Sequence, residues 1–237
     1  VVALIFPGQE RWLQLLGYTW TIDEERTAEL APPVARSGDQ NSGIPGYTCY
    51  RTVTETFTVL AQLAADKPAI AQWIDIGDSY DKITSGGPDG SDIHALVLTN
   101  QNSAATEKGK FVLIAAIHAR EYATAEIATR FAEWLAAGYG TDPDITWLLD
   151  YNEIHIIPQA NPDGRGFAEQ GYSWRKNTDR PAICNSGPNN APYSYGVDLN
   201  RNSSFLWGTC GGGCSSSDPC SVIYRGASPG SEPEVQA

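Results

Sequence analysis

A chain of 237 residues, 41% hydrophobic and 19% charged, can bury one large core and is excluded from the disordered and collagen-like classes. Its 16 basic and 28 acidic residues give a formal charge of −12, which repels phosphate backbones and anionic lipid surfaces, so nucleic acid is not expected as a partner. The longest apolar run, FVLIAAI at 111–117, falls well short of the roughly 20 residues a membrane span needs, and no span is expected.

In chain order, the opening VVALIFPGQE lacks both Met and the positively charged start of a signal peptide, as expected where a longer protein continues upstream. Residues 1–30 pair that apolar segment with ERWLQLLGYTWTIDEERTAEL and read as the tail of a pro-segment or small N-terminal module. Residues 31–45, APPVARSGDQNSGIP, carry the Pro, Gly and small polar residues of a linker, which leaves 46–237 as the main domain. There Thr52 and Glu55 stand at capping-box spacing before a helix with Phe57, Leu60, Ala61 and Ala64 on one face.

Four short β-branched segments follow: WIDIG, IHALVLT, FVLIAAI and YNEIHIIP. The third is apolar without alternation, the pattern of a central strand buried on both faces. Between the last two, TAEIATRFAEWLAAGYG predicts a helix whose apolar face is Ile127, Phe131, Trp134 and Leu135, with Gly138 as its stop. Strand, helix and strand in succession imply an α/β domain with helices packed on a sheet.

Five cysteines, Cys49, Cys184, Cys210, Cys214 and Cys220, crowd toward the C-terminal third in Gly/Ser-rich surroundings. That distribution suggests disulfide-stapled loops in an oxidising compartment, with Cys49 the odd one left over. The final SEPEVQA reads as a helix start, with Ser231 as N-cap, Pro233 in the first turn and Glu234 closing a capping box. A helix is thus expected to continue past the last residue.

Chemistry concentrates in four places. His118 and Glu121 lie three apart at the carboxyl end of FVLIAAI, where open α/β sheets bind ligands, and the spacing lets a turn aim a nitrogen and an oxygen donor at one Zn²⁺. The stretch PQANPDGR follows the next strand and reads first as a turn. WRKN presents Arg175, and GVDLNRN presents Asn200 and Arg201 beside Asp198. His94 and His155 fall inside strands and read as satisfied core or edge histidines.

Together HARE, NPDG, WRKN and GVDLNRN, in this order and at comparable spacing from about residue 45 onward, resemble the zinc metallocarboxypeptidases of the carboxypeptidase A and T type. The resemblance implies a mixed, largely parallel sheet with helices on both faces, left incomplete at the C-terminus of this chain. It also implies a secreted enzyme that uses zinc to release C-terminal residues of peptides and proteins. Carried over, it makes His118 and Glu121 metal ligands, Arg175 the catalytic group facing the developing oxyanion, and Arg120, Asn200 and Arg201 substrate-binding residues. Such relatives place a third ligand, a histidine, and a glutamate general base further downstream, so the chain as given is expected to be inactive. Two readings stand beside this one: an amidase or deacylase of the same superfamily, and a non-catalytic module that binds C-terminal carboxylates. A thiol hydrolase built on Cys184 or Cys220 is disfavoured, because disulfide pairing accounts for both.

Overall fold

A computed structural model describes residues 10–19, 21–24, 43–85, 90–105, 107–182, 184, 194–209 and 213–237. Two compact units divide the chain, Val1–Arg36 and Ser37–Ala237. In the first, helix α1 spans Glu10–Leu15, and Leu15, Leu16, Tyr18 and Ile22 are exposed. The VVALIF segment and residues 31–42 of the expected linker lie outside the described residues.

The second unit begins as its sequence dictates. Helix α2 (Val53–Asp66) opens on the expected capping box: Thr52 Oγ1 accepts from Glu55 N at 3.2 Å, and the Glu55 carboxylate accepts from Thr52 N at 2.9 Å. Strand β1 (Ala71–Asp78), the short helix α3 (Tyr80–Ser85), β2 (Asp92–Leu98) and β3 (Gly109–Ile114) follow. Helices α4 (Tyr122–Gly138) and α5 (Pro143–Tyr151) then lead into β4 (Asn152–Ile157). Helix α5 is not among the expected elements, although its start is marked by Asp142, whose carboxylate caps Asp144 N and Ile145 N, and by Pro143 in the first turn.

The four strands form one open mixed sheet in the order β1-β2-β4-β3. Antiparallel pairing joins β1 to β2 and β2 to β4; β3 runs parallel to β4. Among the described strands the antiparallel pairings therefore outnumber the parallel one. Register places Leu96, Leu98, Leu113, Ile154 and Ile156 on one face. There they meet Leu60 and Ala64 of α2, Ala128, Ala132 and Leu135 of α4, and Ile145 and Leu149 of α5. Each fully buried leucine contributes roughly 1.5–3 kcal/mol.

Two expectations fail in instructive ways. Strand β3 is an edge strand rather than a central one, with Phe111, Val112 and Ile114 exposed at 52%, 56% and 49%. Its apolar run signals a wish for cover on both faces, but position in a sheet is decided by pairing, and among the described residues only β4 pairs with it. In α4 the buried face is Ala125, Ala128, Ala132 and Leu135, while Ile127 and Trp134 are exposed. Small side chains let the helix axis approach the sheet closely, and the larger residues fall outside.

The remainder of the unit is loop-rich. Asn161 accepts from Gly164 N at 3.0 Å and caps helix α6 (Pro162–Glu169), so NPDG is a helix start and not a free turn. A 3-10 turn covers Leu199–Arg201, and helix α7 covers Pro233–Gln236. The α7 N-cap is Glu232 rather than Ser231, and Glu234 closes no capping box. Its carboxylate instead accepts from Tyr80 N at 3.0 Å and Asn177 Nδ2 at 3.1 Å, donors from distant segments that outcompete a local cap. Cys184 and Cys220 form a disulfide, Cys214 is also disulfide-bonded, and Cys49 is free and exposed. Cys210 lies outside the described residues.

Candidate metal centre

The site forms where the chain leaves β3. Ala115 is still tied to the sheet, donating to Ile157 O at 2.9 Å, whereas Ala116 turns away with φ 52°, and His118 follows two residues later. Glu121 is the N-cap of α4, yet its side chain makes no capping hydrogen bond. It turns back instead, bringing Oε1 to 2.9 Å from His118 Nδ1.

A second apolar cluster supports the loop from below. Ala119, Ala168, Trp174 and Tyr195 are buried together, with the Trp174 and Tyr195 rings 4.9 Å apart. Trp174 thus anchors Arg175, whose carbonyl accepts from Ala119 N at 3.2 Å. Asn161 reinforces the joint through its side-chain amide, which donates to Ile117 O at 3.3 Å and Lys176 O at 2.9 Å. At Gly164 a Cβ would meet Lys176 O at 2.6 Å, so only glycine permits this approach.

Asp198 is the hub, although in the sequence it stands out only as a neighbour of Asn200 and Arg201. Wholly buried, it accepts from His118 Nε2 at 3.1 Å, from Arg175 Nε at 3.2 Å and Nη2 at 2.9 Å, and from Asn200 N at 3.1 Å. Burial raises its pKa, but the hydrogen bonds from His118 and Arg175 and the guanidinium charge outweigh it and hold the carboxyl below its ordinary value. The ion is therefore kept. Its one available signal in the sequence is the Asp-x-Asn spacing that lets an aspartate cap a turn.

The remaining expected residues sit around this core. Arg175 Nη1 reaches to 3.9 Å from Glu121 Oε1. Arg201 donates through Nε to the Cys214 carbonyl and through Nη1 to Asn200 O at 2.9 Å. Arg120 is exposed and donates to Ser173 Oγ at 3.1 Å, two residues before Arg175. His155 lies on β4, inside the sheet between β2 and β3, and bonds Glu153 at 3.2 Å. His94 departs from expectation: its Nδ1 is buried with no hydrogen-bond partner among the described residues, and the ring is held by stacking on Trp73 at 4.8 Å. Burial lowers its pKa.

The donor set suits a cation. Asp198 accepts at Nε2 of the His118 ring, which leaves Nδ1 as the ring nitrogen facing Glu121 Oε1. A proton on Nδ1 satisfies that pair as a hydrogen bond, and a cation that displaced the proton would meet both atoms. An imidazole nitrogen and a carboxylate oxygen are ligands that zinc accepts, and a carboxylate on the other ring nitrogen is the kind of partner that orients metal-bound histidines. Among the described residues no group of three His, Cys, Asp or Glu side chains converges as a cage.

The zinc carboxypeptidase family model matches residues 57–237. Carboxypeptidase A2 of Mus musculus is 32% identical over 200 residues, 81% of this chain and 40% of the mouse protein. A zinc carboxypeptidase of Saccharothrix mutabilis subsp. capreolus is 34% identical over 169 residues, 70% of this chain and 35% of that protein. Among solved structures, carboxypeptidase A from Helicoverpa armigera superimposes with a TM-score of 0.67 at 26% identity, over 96% of this chain and 52% of that one. The chain belongs to the zinc carboxypeptidase family. It spans under half the length of the curated relatives it matches.

Proposed function

We propose that the chain carries the first part of the active site of a zinc-dependent carboxypeptidase, which releases C-terminal amino acids from peptides and proteins. The observation that carries this reading is the His118–Glu121 donor pair backed by Asp198, with Arg175 held alongside. His118 and Glu121 would hold Zn²⁺, which supplies Lewis-acid polarisation of the scissile carbonyl and an acidified water.

Asp198 keeps the His118 ring oriented and its Nε2 protonated. Arg175, already fixed by Asp198, offers a preorganised positive charge where negative charge grows on the attacked carbonyl oxygen. Asn200 and Arg201 bind the substrate's terminal carboxylate, for which a guanidinium fork and an amide donor are suited, and Arg120 assists. Fixing the carboxylate limits cleavage to the last residue.

Two protein donors leave a metal with more water and lower affinity than three. Among the described residues no third His, Cys, Asp or Glu joins the pair, and the 237-residue chain alone is expected to hydrolyse peptides negligibly. The Cys184–Cys220 disulfide favours a secreted protein, and residues 1–30 fit the tail of a pro-segment.

Zinc titration of the chain tests the reading. Glu121→Gln, which exchanges an anionic ligand for a neutral one, is expected to weaken binding, and His118→Ala to abolish it. Zinc affinity unchanged in both variants would rule the centre out.

A further inference from the structure

Building on the metal centre just proposed, we infer that Thr124 is a positioning residue whose hydroxyl staples the β3–α4 loop and so sets where His118 and Glu121 point. The hydroxyl accepts from Ala116 N at 3.0 Å and donates to Glu121 O at 2.8 Å. One oxygen thereby joins the two ends of the six-residue segment 116–121 that contains both donors. A hydroxyl can do this because it carries one proton to give and lone pairs to receive.

What the staple holds is strained. Ala116 is 1% exposed with φ 52°, a left-handed conformation that is sterically unfavourable for a residue with a Cβ. Such a conformation persists only where surrounding contacts over-determine it. Ala115 is anchored on both sides, donating to Ile157 O and accepting from Ala160 N at 2.9 Å each, so the turn must occur at Ala116 itself. Downstream, Ala119 N donates to Arg175 O and Ala119 O accepts from Arg165 Nη1, both at 3.2 Å. Those contacts fix the middle of the segment. The Thr124 hydroxyl fixes its span, and with it the separation of His118 from Glu121.

A bond from a threonine hydroxyl back to the N-cap carbonyl is an ordinary local feature of a helix start. The second bond, to Ala116 N eight residues upstream, is not local to the helix and is what ties α4 to the end of β3.

The test is a zinc titration of the 237-residue chain, followed by the His118 ring signals in NMR, with thermal unfolding measured in parallel. Thr124→Val keeps the shape and removes the hydroxyl; Thr124→Ser keeps the hydroxyl. Thr124→Val is expected to weaken zinc binding about tenfold, the lower end for partners that orient metal ligands. Thr124→Ser should stay within about threefold of wild type on the same scale. Adding Ala116→Gly to Thr124→Val, which removes the strain the staple opposes, should recover part of the loss, and it also supports folding if the valine variant folds poorly. Binding by Thr124→Val equal to wild type, or Thr124→Ser as weak as Thr124→Val, overturns the staple while leaving the centre standing. Zinc binding that survives His118→Ala overturns the centre and the staple together.

Discussion

His118 Nε2 and Asp198 Oδ1 lie 3.1 Å apart, and this bond ties the loop after β3 to a 3-10 turn eighty residues later. The same carboxylate also holds Arg175, so the proposed metal ligand and the proposed oxyanion donor share one anchor. Positioning errors in either are therefore coupled.

Asp198→Ala leaves the largely buried Arg175 guanidinium without its close carboxylate and His118 without its orienting acceptor. Removing one member of a buried ion pair costs about 3–5 kcal/mol, which urea denaturation would register. Asp198→Asn retains an acceptor for Nε2 and should cost less stability, while zinc affinity falls about tenfold because the imidazole loses its anionic partner. Equal zinc affinity in Asp198→Asn and wild type would remove Asp198 from the metal's support.

A second buried acidic group makes stability depend on pH. Burial pushes Glu234 up to about 7; hydrogen bonds from Tyr80 N and Asn177 offset only part of this, and neighbouring Glu232 adds repulsion. Burial also raises Glu232. Between the ordinary glutamate range and pH 7 the folded chain retains a proton that the unfolded chain has released, so stability from this site falls as pH rises through that window. Glu234→Gln cannot ionise and should flatten the dependence. Urea midpoints at about pH 5 and pH 7.5, compared between wild type and variant, read this directly; parallel pH dependences would remove Glu234 as the source.

In a form of the protein that hydrolyses peptides, Arg201→Ala should narrow the preference for a peptide acid over its amide. A charged hydrogen bond contributes about 1.5–3 kcal/mol, so the ratio of the two kcat/KM values should drop roughly 10- to 100-fold. A ratio that stays put would remove Arg201 from carboxylate recognition.

What could be read in the sequence depended on how far apart the partners stand. Thr52 and Glu55 are three residues apart, and their capping box forms as the spacing predicts. At the other end, Glu234 sits three residues after Ser231, yet Tyr80 and Asn177, 154 and 57 residues away, take its carboxylate. The segments of all four strands were legible from their β-branched runs, but the edge position of β3 was not, since a run of apolar residues reports the environment a strand suits and not its neighbours. The face α4 buries was misjudged because large side chains weigh heavily in a periodicity, whereas close packing favoured Ala125, Ala128 and Ala132. Within the candidate site, the short-range pair His118 and Glu121 stood out. Asp198 did not, because its importance lies in contacts across 80 and 23 residues.

Strand β3 also bears on how the chain behaves as a colloid. Its outer row of backbone donors and acceptors meets no strand among the described residues, and Phe111, Val112 and Ile114 lie beside that row in water. Such an edge is a template for a neighbouring molecule. At neutral pH a net charge of −12 keeps molecules apart. Near the sequence pI of about 4.6 that repulsion disappears while the adhesive edge remains, so the chain should salt out or gel there first, and buffers well above that pH are where it stays dispersed.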